Sequence, residues 1–433
     1  MSTRPLGGRW RACCLAAALA LAPASAWAGP RVRVVDVDAN ANAGVDIICA
    51  PSGELLVVYN QQDGQALKVA RVTPTATTVS VLSTQRSAGL FPSAAIDSLG
   101  LLSVAHAELS GGLYYTLDGG DVFGLNTIPI PGTTGGQHPV MMLDSLDRPF
   151  MAYRAAQNVP KLARFDIPSG TWMTETIPGP TMNSAFSRVL AIARNKDDQP
   201  AVVYCDQANK LQLATRAPGG WTLRTYSPQS PVTPTGLALD FDTTNAAYVA
   251  TNVGNGNLSI LRFGTLGVST IYAPNPVVPA ILGPHSLRLD DHNGINVAYY
   301  DAYTYAIVVA TRSALWATTI VDSGVTCSTP ALTVDSLNRW AVAYIDAQTA
   351  QLRVSAKAWW DYARPDFDCD GHVDGADAQH FLACMTGPGV PQADLNCADA
   401  DLDGDGDVDL SDFGIYQQCY SGPTQPANPQ CAD

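Results

Sequence analysis

Carboxylates are laid out twice in this chain at a spacing that suits a hard cation. Residues 366–377 read D-F-D-C-D-G-H-V-D-G-A-D, and residues 401–412 read D-L-D-G-D-G-D-V-D-L-S-D, 35 positions later. Asp366, Asp368, Asp370, Asp374 and Asp377 hold loop positions 1, 3, 5, 9 and 12 of the first copy, and Asp401, Asp403, Asp405, Asp409 and Asp412 hold them in the second. Position 7 is His372 in one copy and Asp407 in the other. A calcium ion gathers roughly six to eight oxygens, many of them carboxylate, from one short loop. The sharp turn such a loop makes at position 6 falls on Gly371 and Gly406, where a side chain would be strained. Val373 and Val408 are the apolar residues expected to pack the two loops together. Two Ca2+ sites are therefore expected, built from these ten carboxylates with His372 and Asp407.

The duplication extends past the loops: Phe381 matches Tyr416, Cys384 matches Cys419, and Gly387-Pro388 matches Gly422-Pro423. Each loop is thus followed by one short helix that Gly-Pro stops. The helix that would enter a full EF-hand is missing, since Ala363, Arg364 and Pro365 precede the first loop. Loop, helix, linker, loop, helix resembles the dockerin type I module, over roughly residues 366–420. That resemblance implies calcium binding at the matched carboxylates and a cohesin-like or cell-envelope protein as partner. Positions 10 and 11 depart from the family's Ser-Thr-like pair, being Gly375-Ala376 and Leu410-Ser411, so cohesin binding carries over only weakly. The repeat also suggests a disulfide pairing, Cys384 with Cys397 and Cys419 with Cys431, each tying a helix end to the linker after it. Cys369 has no counterpart, because Gly404 stands at its place.

Charge is concentrated in the same stretch. The chain carries −14, and residues 361–433 hold 15 Asp, no Glu and one Arg, which is −14 by themselves. A merely solvating acidic tail is the alternative, but these acids keep ligand spacing, with Gly and Val in register. Residues 29–360 are nearly balanced, with 24 acids against 21 bases, so no basic surface for nucleic acid exists. The chain opens with a signal peptide at residues 1–28: Arg4, Arg9 and Arg11, an apolar run, then Ala26-Trp27-Ala28 as a cleavage site. No later run is long enough for a membrane helix. The expected location is secreted or cell-surface, where disulfides persist. Cys49, Cys205 and Cys327 are expected as buried thiols, with one bridge among them or to Cys369 as the alternative.

What precedes the acidic module reads as strands punctuated by Gly, Pro, Asn and Asp. One phrase recurs: an apolar strand, an Asp-centred turn, and a second strand ending in Ala-Tyr or similar. It ends at His106, Tyr153, Tyr299 and Tyr344, with weaker copies at Tyr59, Tyr204 and near Val249. Seven repeats of 45–51 residues, each with about four strands, predict an all-β fold. The expected architecture is a seven-bladed β-propeller over residues 29–360, with a small α-helical calcium module at 361–433. The last repeat lacks its outer strand, and residues 31–37 form a strand able to supply it and close the ring. Thr116 to Phe123, T-L-D-G-G-D-V-F, resembles the Asp-box of sialidase-like propellers, which is a fold element, so Asp118 and the recurring Trp172, Trp221 and Trp316 are read as structural.

In such a ring the loops after second strands and before first strands open on one face. That places Tyr153, Arg154, Tyr204, Asp206, Tyr299, Asp301, Tyr344, Asp346, His138 and His285 as the candidate ligand face, a set suited to sugar hydroxyls and flat sugar rings. The competing reading makes the Tyr blade-packing residues and the Asp turn formers. Arg71, Arg164, Arg216, Arg262 and Arg312 recur near third-strand ends on the opposite face and read as scaffold. Glu occurs only at Glu54, Glu108 and Glu175, and no nucleophile, metalloprotease or P-loop motif is present. No catalytic residue is assigned. The sequence favours a secreted calcium-binding propeller that binds a polysaccharide or a surface partner. The alternative is a carbohydrate-active enzyme, a glycoside hydrolase or polysaccharide lyase.

Overall fold

The computed structural model describes residues 32–432, except 74–75, 85–89, 109–110, 120–123, 186–189, 228–235, 254–256, 266, 273–279, 284–285, 328, 358–362, 369, 395–396, 398 and 429–430. The stretch expected to be a signal peptide, the end of the Asp-box-like segment, Cys369 and His285 therefore lie outside the described residues. Seven antiparallel sheets follow one another along the chain. Six are built from consecutive strands: blade 1 from Val45–Cys49, Leu55–Asn60, Leu67–Val72 and Thr77–Ser83, and so on to blade 6, which ends at Trp316–Ser323. Blade 7 has three strands of its own, Ala331–Val334, Trp340–Asp346 and Gln351–Ala356. Its fourth is Arg33–Asp36, paired antiparallel with the third. The first strands neighbour one another in sequence around the ring, and those of blades 7 and 1 also touch. The protein is a seven-bladed β-propeller with a small helical module after it.

The burial of each strand explains its composition. Second strands such as Leu55–Asn60, Pro200–Cys205 and Trp340–Asp346 are buried along their whole length. They are covered on both faces by neighbouring blades, so they read as unbroken apolar runs rather than alternating ones. Outer strands such as Thr77–Ser83 and Gly220–Tyr226 are largely exposed. The core is thus a series of inter-blade layers, where a fully buried Leu, Val or Ile contributes about 1.5–3 kcal/mol.

The Tyr that ends the second strand is a strap to the blade before it. Tyr59, Tyr153, Tyr204 and Tyr344 have no exposed surface. The Tyr59 hydroxyl donates to Asp36 on the closing strand, Tyr344 to Asp322 at 2.6 Å on the outer strand of blade 6, and Tyr204 to the Pro178 carbonyl at 3.4 Å after blade 3. Gly179 is required at that approach, since a Cβ there would stand 2.5 Å from the Tyr204 hydroxyl.

Turns between first and second strands form a second strap. The Ser98 N–H donates to Asp147 Oδ1 of the next blade at 3.0 Å, and Ser145 N–H to Asp198 at 2.9 Å. Lys196 N–H reaches Asn245 at 3.0 Å, Thr243 N–H reaches Asn293 at 2.8 Å, and Asp291 N–H reaches Asn338 at 3.1 Å. Every acceptor has positive φ, a conformation that Asp and Asn tolerate better than other side chains. The chain of bonds stops on either side of blade 1. There Gly53 and Gly100 occupy the acceptor position without a side chain, and Pro51 occupies the donor position without an N–H.

First strands are also braced to their neighbours. Asp46 accepts from Ala94 N–H at 2.8 Å, Ser93 from Met141 N–H at 2.9 Å, Asp240 from Leu289 N–H at 2.8 Å, and Thr333 from Cys49 N–H at 3.3 Å. Burial pushes the Asp46 carboxyl up to about 7, against the pull of two backbone N–H groups and the Arg288 charge. Ionised Asp46 therefore costs the fold stability above pH 7, and that cost fades as pH falls toward the unfolded value of 3.8. Asp46→Asn is neutral throughout. Its stability relative to the native chain should be higher at pH 8 than at pH 5 by about 2–3 kcal/mol, read from denaturant melts at both pH values in excess calcium. An equal difference at both would show that Asp46 stays ionised across the range.

Helix α1 is Gly375–Cys384 and helix α2 is Leu410–Cys419. Each starts on a reciprocal cap: Asp374 and Asp409 accept from the chain two residues on, while Asp377 and Asp412 accept from the cap backbone. No helix among the described residues is long and apolar enough to cross a membrane.

Candidate functional site

The two acidic loops are held in a pseudo-symmetric clasp. The Val373 carbonyl accepts from Ser421 N–H and Gly422 N–H, and the Val408 carbonyl accepts from Thr386 N–H and Gly387 N–H, the same bonds shifted by 35 residues. Ala427 N–H to Gly371 and Gln392 N–H to Gly406 repeat the shift. The position-8 valines are fully buried, but their backbones pair with the segment after the other helix. Phe381, Phe413 and Tyr416 close the interface, with ring centroids 5.7–5.9 Å apart. Disulfides Cys384–Cys397 and Cys419–Cys431 lie where the duplication placed them. Cys49 and Cys205 are free thiols, the second buried, and Cys327 is buried as well.

Within each loop, positions 1, 3 and 12 come together. Asp366, Asp368 and Asp377 offer oxygens within 4.8 Å of one another, and so do Asp401, Asp403 and Asp412. The backbone aims them: Asp366 accepts from Gly371 N–H at 2.9 Å and Asp401 from Gly406 N–H at 3.0 Å, with φ of +94° and +95° at those glycines. Asp377 and Asp412 each accept from two N–H groups at the start of their loop. Positions 5 and 9 face the backbone, Asp370 and Asp405 toward the position-7 N–H, Asp374 and Asp409 toward the helix starts.

Position 7 breaks the symmetry. His372 Nδ1 is turned to the Gln425 carbonyl at 2.7 Å. Asp407 is buried, its Oδ2 accepts from Gly389 N–H, and its Oδ1 has no hydrogen-bond partner among the described residues. It also groups with Asp409 and Asp412 within the same 4.8 Å. Burial and the charges of Asp377, Asp370 and Asp368 push Asp366 up to about 6. Gathered acids and an orphaned buried carboxylate oxygen form a donor set that fits a hard divalent ion.

The propeller side chains expected on one face are mostly interior. Tyr204 and Tyr344 are the straps described above, Tyr153 is equally buried but its hydroxyl has no hydrogen-bond partner among the described residues, and Tyr299 is 4% exposed within the blade 5–6 layer. Asp206, Asp301 and Asp346 are buried and hold the turns after second strands, accepting from Lys210 N–H, Tyr303 N–H and Gln348 N–H among others. Arg154 donates to Gln137 at 2.6 Å. His138 packs against Phe91 with centroids 3.9 Å apart and the rings tilted by 51°, beside a cavity of only about 30 Å³. Third-strand arginines are anchored: Arg71 to Asp118 at 2.8 Å, Arg216 to Glu175 at 2.6 Å and Arg262 to Asp242 at 3.1 Å.

The large cavity, about 970 Å³, opens at the other end of the channel, among the turns that join first to second strands. Its wall includes one equivalent position from every first strand, two residues before the turn. Blades 1 to 4 place Ile48, Ala95, Met142 and Ala193 there, and blades 5 to 7 place Asp240, Arg288 and Thr333. Reading the repeats for their conserved-looking Ala-Tyr phrase hides this ring. Aligning first strands on the turn residues would have exposed it.

No family model and no curated protein matches the chain. Among solved structures it is similar to the Aleuria aurantia lectin, described as a six-bladed β-propeller, with 12% identity over 67% of this chain and 98% of that one and a TM-score of 0.47. AofleA from Arthrobotrys oligospora is 12% identical over 68% and 91%, with a TM-score of 0.46. BBS1N in complex with ARL6DN is 15% identical over 77% and 97%, with a TM-score of 0.50. The last of these likenesses speaks for the fold alone.

Proposed function

We propose that this is an exported binding protein, in which the propeller recognises an extracellular glycan and the C-terminal module, ordered by two calcium ions, attaches it to a surface partner. The observation that carries the reading is the pair of loops whose carboxylates at positions 1, 3 and 12 converge twice, under one 35-residue repeat. Calcium would supply the positive charge these acids lack, and the chain's own part is to aim them through Gly371, Gly406 and the helix caps. Two disulfides in so small a module suit an oxidising compartment. The resemblance to dockerins makes a cohesin-like protein one form the surface partner could take.

The test uses the full mature chain on an oligosaccharide array and on cell-envelope fractions, in calcium and in chelator. Glycan binding should survive chelation, and retention on the envelope should not. A chain that bound neither in calcium would sink the proposal. Loop 2 should load first, because Asp407 adds a sixth carboxylate where loop 1 has His372. Calcium titration of Asp407→Asn should weaken the tighter of two sites by about tenfold or more. A titration indistinguishable from the native one would remove Asp407 from the ligand set.

A further inference from the structure

We infer that the channel ring is a saccharide site, entered from the turn side, that takes the neutral end of a glycan. The inference rests on the proposed glycan reading and names the place and the ligand class. Four apolar residues in consecutive blades, Ile48, Ala95, Met142 and Ala193, face three polar ones, Asp240, Arg288 and Thr333. A sugar ring has the same division, with C–H groups on its faces and hydroxyls on its edge. The polar arc offers a carboxylate that accepts, a guanidinium that donates and a hydroxyl that does both, which suits adjacent sugar hydroxyls. Across the whole wall acids outnumber bases, five Asp against Arg194, Lys196 and Arg288, so the field disfavours an anion.

Other acids at the cavity are already committed. Asp97 caps its own turn at Leu99 N–H and Leu101 N–H, Asp144 holds Arg148, and Asp147 and Asp198 each take both the N–H and the hydroxyl of a serine in the preceding blade. Asp240 and Thr333 also brace the following blade, accepting from Leu289 N–H and Cys49 N–H, but unlike the turn acids they stand with Arg288 on the channel wall itself.

The full chain is titrated with neutral oligomers of glucose, galactose, mannose and xylose, and with an oligouronate, by calorimetry. Asp240→Asn and Arg288→Gln should each weaken the neutral ligand by about tenfold. Because Asp240 also braces blade 6, Ala193→Phe is the second variant. It fills the channel from the apolar side without removing a hydrogen bond, and should abolish binding while leaving the melting curve in place. Arg154→Ala, at the far end, should bind as the native chain does. If no oligosaccharide binds the native chain, the glycan reading itself falls. If one binds but Ala193→Phe binds it equally, or Arg154→Ala loses it, the glycan reading stands and this site is wrong. Preference for the oligouronate would overturn the neutral assignment.

Discussion

Chelating calcium from the full chain should unfold residues 366–422 and leave the seven blades standing. The reason is electrostatic. Residues 361–433 carry −14, and Asp366, Asp377, Asp407 and Asp412 among them are buried. Buried like charges repel and lose hydration, and an unfolded chain relieves both costs. Hydrophobic burial in the module is small, centred on Phe367, Phe381, Tyr416 and the two valines. The two disulfides span only 13 and 12 residues, so they restrain the linkers without organising the loops. A ligand at a thousand times its dissociation constant stabilises the bound state by about 4 kcal/mol per site, enough to decide the fate of so small a module. Hydrogen exchange is the direct measurement. Amides of α1 and α2 should be protected in calcium and exchange freely in chelator, while those of Leu55–Asn60 or Pro200–Cys205 stay protected in both. Equal protection of the helices in both conditions would mean that the acids are ordered without a cation.

How much of this was legible in the sequence depended on how each feature is encoded. The converging acids could be read because such a loop is local: its acids, its glycine and its following helix lie within one short stretch, and the copy 35 residues on repeats them. Blade number could be read because duplication left the Ala-Tyr phrase in four blades. The closing strand followed from an unfilled place in blade 7. The ring around the channel did not announce itself, since its members sit about one repeat apart and differ in type, from Ile48 to Arg288. Tyrosine function was equally hidden. A Tyr ending an apolar strand reads the same whether it meets a sugar or, like Tyr59, reaches Asp36 in the preceding blade, and only the packing separates the two. His372 and Asp407 share a loop position, yet one ring turns to Gln425 and the other side chain is buried, because the segments after the two helices differ.

Deleting residues up to 37 should cost the propeller its ring and turn it into an aggregating or strand-exchanging species. Arg33–Asp36 is the outer strand of blade 7, so its loss bares the N–H and C=O groups of Gln351–Ala356 along an open edge. The strand also ties the seam to blade 1. Asp36 accepts from the Tyr59 hydroxyl and from Lys68 at 3.1 Å, and the same ammonium reaches Asp38 at 3.2 Å. Burial alone would raise the Asp36 carboxyl, but the Tyr59 and Lys68 bonds outweigh it and hold it below its ordinary value. This seam matters more than others because the turn-to-turn straps of blades 2 to 7 are missing on both sides of blade 1. A milder variant separates closure from truncation. Val35 is 1% exposed in the layer with Leu352 and Val354, and Val35→Asp buries an unpaired charge there at a cost of several kcal/mol. Its propeller melting transition should fall well below that of Val37→Asp, whose native side chain is 53% exposed. Adding a synthetic peptide of residues 29–40 should restore the transition of the deleted chain by refilling the edge. A truncated chain that stays monomeric and melts like the native one would show that blade 7 holds with three strands, and that the ring is closed by its first strands alone.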